Sequence, residues 1–474
     1  MPLPNAAAAA ARAIAPEALA PDADIARDCI AKSWPRLASR LRYPSDAEDH
    51  FDKVHAALER KFPDATRLPP LLDTADLAGG GIYVSSKLAA SVDSLCWGIG
   101  EGGKDPVCCP AYEELWMSHD RLGGPFRGRS RAAAASRPSL RSVFGAFIPL
   151  FVRWSTMLRG AVPTSNDTVL PLLSELQHLL RPDVAYLTAS FDDTGLGTLG
   201  ALLPNLVILG MGGYAHVPIP EFNPFDGHDP LDRHDAAALQ AAAPPFSSRP
   251  MLFSFLGSSH SLRKNGGDPG PIPVFRQAVC DVAAAAATTP PRVNYTLCTS
   301  SPDFKQYRAN STVTLSPRGY GRQSLRLGET IRSHNLPVAV YDDIDFVPYA
   351  ELWPTFAWSA SLDGLPALIG TLKTTREDDF QRRLAALRRL LPTHFTIQGV
   401  AEQMRLFARG GGDLRCQRMP ACPQTDCVYR RGATADGNTT IDCASARATA
   451  TGLPPVLPTR LTDDCTGKFP WVHY

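Results

Sequence analysis

The sequence has no charge imbalance and no long hydrophobic run. Its 48 lysines and arginines nearly balance its 47 aspartates and glutamates, so the net charge is +1. Such a chain has no electrostatic footprint for DNA or RNA, and we expect no nucleic-acid partner. The longest apolar run near the amino terminus, residues 6–11, is far shorter than the ~20 residues that span a bilayer. We therefore recognise neither a membrane anchor nor a signal peptide in this chain.

Motifs of several enzyme classes are missing as well. The G-x-S-x-G sequence of α/β-hydrolases and the P-loop of nucleotide triphosphatases do not occur, which argues against both classes. No cluster of histidines and cysteines has the composition of a zinc site. We therefore predict no metal site of this kind, and no cofactor.

What the chain has in quantity is cysteine. Of its eleven cysteines, five follow Gly412 in a tail with few apolar residues. These five are Cys416, Cys422, Cys427, Cys443 and Cys465. A tail of this composition needs covalent bridges to hold a shape, so we favour disulfides. Zinc is the competing interpretation, weakened because no Cys-x-x-Cys pair occurs there. Since the count is odd, at least one thiol stays unpaired.

Four of the nine asparagines begin N-glycosylation sequons. These are Asn166-Asp-Thr, Asn294-Tyr-Thr, Asn310-Ser-Thr and Asn438-Thr-Thr. Together with the cysteines, they predict a protein of the secretory-pathway lumen or the exterior, with the export signal or anchor not visible in this chain.

A chain of 474 residues is too long for one ordinary core, so two domains are expected. Apolar strand-like runs alternate with helical spacing in both halves, which is typical of parallel sheets wound with helices. The stretch 217–250 contains seven prolines and is predicted to link the domains. The predicted boundaries are a disordered leader at 1–40, a Rossmann-like domain at 41–245, a second one at 246–412, and the Cys-rich tail at 413–474.

The most informative segment is residues 314–332. A predicted strand ends at Leu315, a loop with Gly319 follows, and a helix is predicted to begin near Ser324. Ligands of parallel sheets bind at the carboxyl ends of strands, and a helix amino terminus attracts anions. Arg326 and Glu329 lie three residues apart on one face of that helix. An arginine can grip a diphosphate and a carboxylate can bind ribose hydroxyls, so the pattern suits a nucleoside diphosphate. A surface ion pair beside an ordinary glycine turn is the alternative.

The segment resembles the carboxyl-terminal motif of exostosin-family glycosyltransferases. That motif consists of Pro-Arg-Gly, Ser-x-Arg-x-x-Glu, a Pro-Val strand, an acidic turn and an aromatic turn. The corresponding residues are Pro317-Arg318-Gly319, Ser324 to Glu329, Pro337-Val338, Asp342-Asp343 and Val347-Pro348-Tyr349. Upstream, Phe253 to Gly257 with Arg263 resembles the stretch that opens the family's donor domain. The resemblance is specific over residues 250–360, faint over 80–245 and absent in the tail.

The resemblance implies an α/β chain of the GT-B-like type, with two Rossmann-like domains facing a cleft. It implies a metal-independent, inverting transfer of a sugar from a UDP-sugar donor to a glycan or polysaccharide acceptor, in the Golgi, with room for a partner glycosyltransferase. The donor-site residues carried over are Gly257, Arg263, Arg318, Gly319, Ser324, Arg326 and Glu329. Asp342-Asp343-Ile344-Asp345 also resembles a metal-binding Asp-x-Asp, but it falls where the family has its acidic turn, and we favour the turn.

Two departures from the family bear on function. Asn335 occupies the place of a family glycine, and we expect its backbone to adopt the left-handed conformation instead. The family's Asp-His element in the acceptor domain is not recognisable. For the catalytic base the candidates are Asp192 or Asp193, with His216 behind them. A non-catalytic member that binds a glycan or a nucleotide sugar is therefore the leading alternative.

Overall fold

The computed structural model describes two parallel sheets and the helices that pack on them. The described residues are 25–66, 116–117, 122–123, 126, 137–154, 157, 165–190, 196, 203–212, 215–220, 245–257, 271–299, 304–319, 322–342, 344–417, 428–433 and 439–442. Within these ranges, no helix combines the length and the apolar character needed to cross a membrane.

The amino-terminal half is built on a four-stranded parallel sheet. Its elements are α1 Ile25–Ala31, α2 Pro35–Ala38, α3 Ala47–Lys61, α4 Pro63–Thr66, α5 Leu140–Phe144, β1 Ile148–Pro149, α6 Ser165–Leu179, β2 Tyr186–Ser190, β3 Leu206–Gly210 and β4 Val217–Pro218. The strand order is β1-β2-β3-β4, and β2 pairs with β3 in register from Tyr186–Leu206 to Ser190–Gly210. All four strands are buried along their length. Near-continuous apolar strands of this kind are typical of parallel sheets covered on both faces.

The predicted leader is shorter than expected, because residues 25–38 form α1 and α2. Three side chains of α1, Ala26, Cys29 and Ile30, are buried in the core. Cys29 forms a disulfide with Cys416, 387 residues further along the chain. Apolar packing and this covalent bridge therefore fix a segment whose composition alone suggested disorder.

The predicted linker also begins too early. Val217 and Pro218 form β4, which pairs in parallel with β3 through Leu209–Val217 and Gly210–Pro218. Pro218 lacks an N–H, and it occupies an end strand of the described sheet, where that donor is not needed. Residues 221–244 of the predicted linker lie outside the described residues.

From its apolar composition, the run from Val143 to Val152 would be expected to form a buried strand that runs into a turn at Pro149. Only Ile148–Pro149 pairs in the sheet, and α5 occupies the residues before it. The N–H groups of Ile148 and Leu150 donate toward β2, so the position of Pro149 between them faces away from β2, and β1 is an end strand of the described sheet where that donor is not needed.

The carboxyl-terminal half is built on a five-stranded parallel sheet. Its elements are β5 Met251–Leu256, α7 Pro271–Thr288, β6 Tyr295–Thr299, α8 Phe304–Ala309, β7 Ser311–Pro317, α9 Leu325–Arg332, β8 Leu336–Tyr341, α10 Trp353–Phe356, β9 Trp358–Ser361, α11 Leu365–Thr374, α12 Glu377–His394 and α13 Ile397–Ala408. A 3-10 turn at Phe246–Ser248 precedes β5, and β10 Val428–Ala433 with β11 Thr439–Asp442 forms a separate antiparallel pair. The strand order of the large sheet is β6-β5-β7-β8-β9.

This order reverses the direction of winding once. The chain leaves β5 for β6 on one side, then returns past β5 to β7 and continues to β8 and β9. Because parallel crossovers are right-handed, the two directions place their helices on opposite faces of the sheet. α7 accordingly packs with α11, and α9 packs with α12. The carboxyl ends of β5 and β7 are the point where the connections diverge.

The last helix of the second half returns to the first half. The rings of Phe147 and Phe407 stack with centroids 6.1 Å apart, which joins the segment before β1 to α13. Gly145 has a φ of 57°, and a Cβ at this position would lie 2.3 Å from the carbonyl oxygen of Ala408. Only glycine permits this backbone conformation at so close an approach.

These features confirm the predicted fold class. The chain is α/β and GT-B-like in plan, with one parallel sheet wound with helices in each half. A second disulfide, Cys280–Cys298, joins α7 to β6. Of the five tail cysteines, Cys416 is the one that lies within the described residues, and its partner is outside the tail.

Candidate nucleotide-sugar site

The candidate site lies where the winding of the carboxyl-terminal sheet reverses. Gly257 directly follows β5, and Arg318 and Gly319 directly follow β7. β5 and β7 are hydrogen-bonded neighbours, with Ser254 opposite Thr314, so the two ends lie side by side. In open α/β sheets, ligands bind in the crevice at such a reversal point. Three of the predicted donor-site residues are thereby brought together.

The loop after β7 is a tight turn closed by its own backbone. The N–H of Gly319 donates to the carbonyl oxygen of Gln323 at 2.7 Å. A Cβ on Gly319 would lie 3.2 Å from that same oxygen, so glycine suits the position sterically. The Nε of Arg276, from α7, donates to the carbonyl oxygen of Arg318 at 3.2 Å. The turn is thus held from both directions just before α9 begins.

Arg318 points its guanidinium at the end of the next strand. Its Nε and one terminal nitrogen donate to the two carboxylate oxygens of Asp342, at 2.5 and 2.7 Å. The Arg318 side chain is 11% exposed, and its guanidinium carbon lies 5.7 Å from the centroid of the Phe275 ring. The bidentate pair joins the carboxyl ends of β7 and β8. A phosphate at this edge would compete with Asp342 for the guanidinium group.

The acidic segment after β8 divides its carboxylates between separate partners. Asp342 accepts from Arg318, whereas Asp345 accepts from the hydroxyl of Ser359. Burial raises the pKa of Asp345 above its usual range. Asp343 lies outside the described residues, so the choice between the acidic turn and a metal-binding Asp-x-Asp stays a prediction.

Ser324 is the N-cap of α9, as expected. Its backbone is extended, with φ −137° and ψ 131°, and its side chain makes no capping hydrogen bond within the helix. The first backbone N–H groups of a helix have no partner in the helix itself, and with the helix dipole they form an anion-binding element. The Ser324 residue is only 5% exposed, so a ligand would reach it through the crevice.

Arg326 and Glu329 form the ion pair that their spacing predicts. The same carboxylate oxygen of Glu329 also accepts from a terminal nitrogen of Arg308 in α8, at 3.3 Å. Both Arg308 and Glu329 have side chains only 6% exposed. Glu329 therefore connects α9 to α8, and its position is fixed by two cations. No motif in the sequence indicated Arg308, because the pairing depends on how α8 and α9 pack.

The left-handed backbone expected at Asn335 is found one residue earlier, at His334, whose φ is 53°. Asn335 is instead a buried hydrogen-bonding centre. Its amide nitrogen donates to the carbonyl oxygens of Arg308 and Ser311 and to the hydroxyl of Thr314. Its amide oxygen accepts from the Arg249 guanidinium and from the N–H of Leu336. The expectation named the wrong residue. His334 has the left-handed backbone, and Asn335 contributes through the hydrogen bonds of its side chain.

His216 lies at the start of β4 and is 2% exposed. Its Nδ1 accepts from the N–H of Ile208, at 3.1 Å, and its own carbonyl oxygen accepts from the N–H of Gln417. Burial lowers the pKa of this imidazole to about 4. It is a neutral side chain that holds the β3–β4 turn, and its part in proton transfer stays a prediction.

The remaining predicted residues fall outside the described ranges. Asp192 and Asp193 follow the carboxyl end of β2, and Arg263 falls between β5 and α7. Their roles stay predictions as well.

A direct contact joins the candidate site to the amino-terminal sheet. The side-chain nitrogen of Gln323 donates to the carbonyl oxygen of Ile219 at 2.8 Å. Ile219 directly follows β4, and Gln323 lies between β7 and α9. The carboxyl ends of strands from both sheets therefore meet at this point. A ligand at the reversal point of one sheet would lie near the carboxyl edge of the other.

Comparison with known proteins finds similarity among solved structures. No protein-family model matches the chain, and no curated protein matches it significantly. The chain is similar to the crystal structure of MurG from Acinetobacter baumannii, at 13% identity, over 51% of this chain and 79% of that one. The TM-score is 0.25, so the fold class rests on the sheet topology described above and not on this likeness.

Proposed function

We propose that the chain is an inverting glycosyltransferase that moves a sugar from a UDP-sugar to a hydroxyl of a glycan or polysaccharide. The observation that carries the proposal is the reversal point of the carboxyl-terminal sheet. There Gly257, Arg318 and Gly319 lie at adjacent strand ends, α9 begins, and Gln323 contacts the amino-terminal sheet. The motif that resembles the exostosin family occupies this same loop and helix.

In the proposed reaction, the nucleotide binds over the reversal point. The amino terminus of α9 at Ser324 and the guanidinium groups of Arg318 and Arg326 face the diphosphate, with Arg263 as a further cation. They counter the negative charge that grows on UDP as the bond to the sugar breaks. Glu329 is proposed to bind the ribose hydroxyls, which requires it to exchange part of its contact with Arg326 or Arg308.

The acceptor hydroxyl is proposed to come from the side of the amino-terminal sheet. A base removes the proton of this hydroxyl while its oxygen attacks the anomeric carbon of the donor sugar. Asp192 or Asp193, in the loop after β2, is the proposed base. Attack from the face opposite UDP inverts the configuration at that carbon.

Titration with UDP tests the donor site directly. Arg326→Ala is expected to weaken UDP binding at least tenfold, since a charge-assisted hydrogen bond to phosphate contributes about 1.5–3 kcal/mol. The matched control is Arg382→Ala, because Arg382 is also paired three residues away, with Asp379, on the exposed face of α12. UDP affinity that is equal in both variants and the parent would contradict the site.

Turnover separates the enzyme from its alternative. UDP release is measured with UDP-glucose, UDP-galactose, UDP-N-acetylglucosamine, UDP-glucuronate and UDP-xylose, each with oligosaccharide acceptors. Release that depends on both donor and acceptor supports transfer. UDP binding without any turnover would instead support a non-catalytic binding protein. That alternative is favoured by one observation, the engaged and buried imidazole of His216 in the half that should hold the base.

The same protein is proposed to work in the lumen of the Golgi or another secretory compartment. The four sequons and the disulfides Cys29–Cys416 and Cys280–Cys298 suit an oxidising, glycosylating environment. Fractionation of cells, with sensitivity of the native protein to an N-glycosidase, tests this location. A protein that carries no glycan and has reduced thiols in its own cell would contradict it.

A further inference from the structure

A cavity of about 610 Å³ lies at the opposite edge of the carboxyl-terminal sheet from the candidate site. Its lining includes Met251, Tyr295 and Asn310, which lie at the amino ends of β5, β6 and β7. β5 is six residues long, so about 20 Å of strand separates this edge from Gly257. The cavity therefore does not belong to the proposed nucleotide site.

Among the described residues, the lining mixes polar and apolar groups and includes no charged side chain. Side-chain amides come from Asn294, Gln306 and Asn310, and a hydroxyl comes from Thr296. Amides both donate and accept hydrogen bonds, which matches a ligand whose groups also do both, as hydroxyls do. Without a cation or a carboxylate in the lining, nothing compensates the desolvation of a charged ligand. The chemistry therefore selects an uncharged, hydroxyl-rich molecule.

The apolar residues of the lining are Pro250, Met251 and Val293, and two tyrosines, Tyr295 and Tyr307, add aromatic rings. The ring of Tyr295 stacks on Phe253, with centroids 5.6 Å apart and 17° between the planes, so one face of it is fixed by packing. Tyr307 is held in α8, where its carbonyl oxygen accepts from the buried hydroxyl of Ser311. A sugar ring presents hydroxyls at its rim and C–H groups on its faces. Amides beside fixed aromatic rings are complementary to both.

The rim of the cavity is anchored to the sheet. The carbonyl oxygen of Asn294 accepts from the N–H of Leu252 at 3.0 Å, and that of Asn310 accepts from the N–H of Met251 at 3.3 Å. Backbone bonds to a central strand limit the movement of both residues, so little ordering remains to be done when a ligand binds. The volume falls within the range of small-molecule sites.

We propose that this cavity binds an uncharged sugar residue, as a glycan-binding site separate from the transfer site. Two sources supply this chemistry. One is a free oligosaccharide, and the other is an N-linked glycan of the protein itself, since Asn294 is exposed and begins the sequon Asn294-Tyr295-Thr296. The proposal is independent of sugar transfer, because it needs neither UDP nor a catalytic base.

Calorimetric titration of the full chain, produced without N-glycans, tests the proposal. The probes are cellotetraose, xylotetraose and N,N′-diacetylchitobiose, with tetragalacturonate as the charged comparison. At least one neutral probe is expected to bind with a Kd of about 1 mM or below, and tetragalacturonate is not. Saturating UDP should leave this affinity unchanged. No binding of any neutral probe up to about 10 mM, or equal binding of tetragalacturonate, would overturn the proposal.

Variants assign the binding to the cavity. Tyr307→Ala and Gln306→Ala are each expected to weaken binding about five- to tenfold, by loss of ring contact and of an amide. Gln306 is exposed, so its substitution keeps the test valid even if Tyr307→Ala fails to fold. Gln277→Ala, an exposed glutamine of α7 outside the lining, is the matched control. Binding that survives both cavity variants would show that the sugar binds elsewhere.

The source is decided with protein from a glycosylating host. If glycosylated protein no longer binds the free probe, and Asn294→Gln or Asn310→Gln restores binding, the occupant is the protein's own glycan, since both asparagines begin sequons and line the cavity. If glycosylated protein binds as well as the bare chain, the occupant is a free oligosaccharide. Either result supports a sugar-binding cavity.

Discussion

The two sheets differ in how the chain winds through them. In the amino-terminal sheet the described strands follow one another in sequence order, β1-β2-β3-β4, so every crossover runs in the same direction. In the carboxyl-terminal sheet the order β6-β5-β7-β8-β9 reverses once. Only the second arrangement leaves a crevice between diverging connections, and the family-like motif lies at that crevice. Topology and motif therefore point independently to the same candidate site.

The turns that precede β8 and β4 are held by side chains of different chemistry. Asn335 immediately precedes β8 and bonds five neighbouring groups through a neutral amide. His216 immediately precedes β4 and bonds the backbone of Ile208 through an imidazole. An amide does not titrate, but an imidazole does. The contacts of His216 should therefore lose stability at mildly acidic pH, whereas those of Asn335 should not.

The largest expected effect comes from the two disulfides. Replacing both Cys29 and Cys416 with alanine should lower the free energy of unfolding by about 5 kcal/mol, because this bridge closes a very long loop. Replacing Cys280 and Cys298, only 18 residues apart, should cost about 3 kcal/mol. Denaturant unfolding without reductant measures both. If removal of the Cys280–Cys298 bridge lowers the free energy of unfolding more than removal of the Cys29–Cys416 bridge, the stability of the amino-terminal half does not depend on the long bridge.

Asn335→Ala should have the next largest effect. It leaves several buried donors and acceptors without a partner, at a cost of about 3 kcal/mol in the free energy of unfolding. Asn294→Ala, at an exposed asparagine, is the matched control and should change stability by less than about 0.5 kcal/mol. Equal loss in the two variants would mean that the hydrogen bonds of Asn335 do not stabilise the second sheet.

His216 should give the smallest effect, and one that depends on pH. Its pKa in the folded protein is about 4, below the usual value of 6.5, so the unfolded chain binds more protons between these values. Stability from this group is complete above pH 6.5 and falls by about 1.4 kcal/mol per pH unit as the pH drops toward 4. Between pH 6.5 and 5 the loss is roughly 2 kcal/mol. His216→Gln should flatten this slope, and a slope identical to that of the parent would contradict the assignment.

Local pattern was sufficient for the elements that form from a single run of residues. Leu206–Gly210 and Met251–Leu256 are apolar runs bounded by glycine or proline, a pattern from which a buried strand can be recognised. The helix predicted to begin near Ser324 begins at Leu325, with Ser324 as its N-cap. Strand, loop and helix together gave the candidate site.

Contacts between distant segments could not be predicted in this way. Arg308 reaches Glu329 only because α8 and α9 pack together, and Cys29 meets Cys416 only because the chain folds back on itself. The two-residue strands β1 and β4 are too short for any periodicity to reveal. The proposed base could be named from the sequence only as Asp192 or Asp193, with His216 behind them, because no recognisable Asp-His element marks it.

The bridge between Cys29 and Cys416 has one practical consequence. A single protease cut anywhere between these two cysteines leaves the fragments covalently joined. Such a nicked protein would migrate as one band on a non-reducing gel and separate into two only after the bridge is reduced. Cleavage in this interval therefore need not release any part of the molecule from the rest.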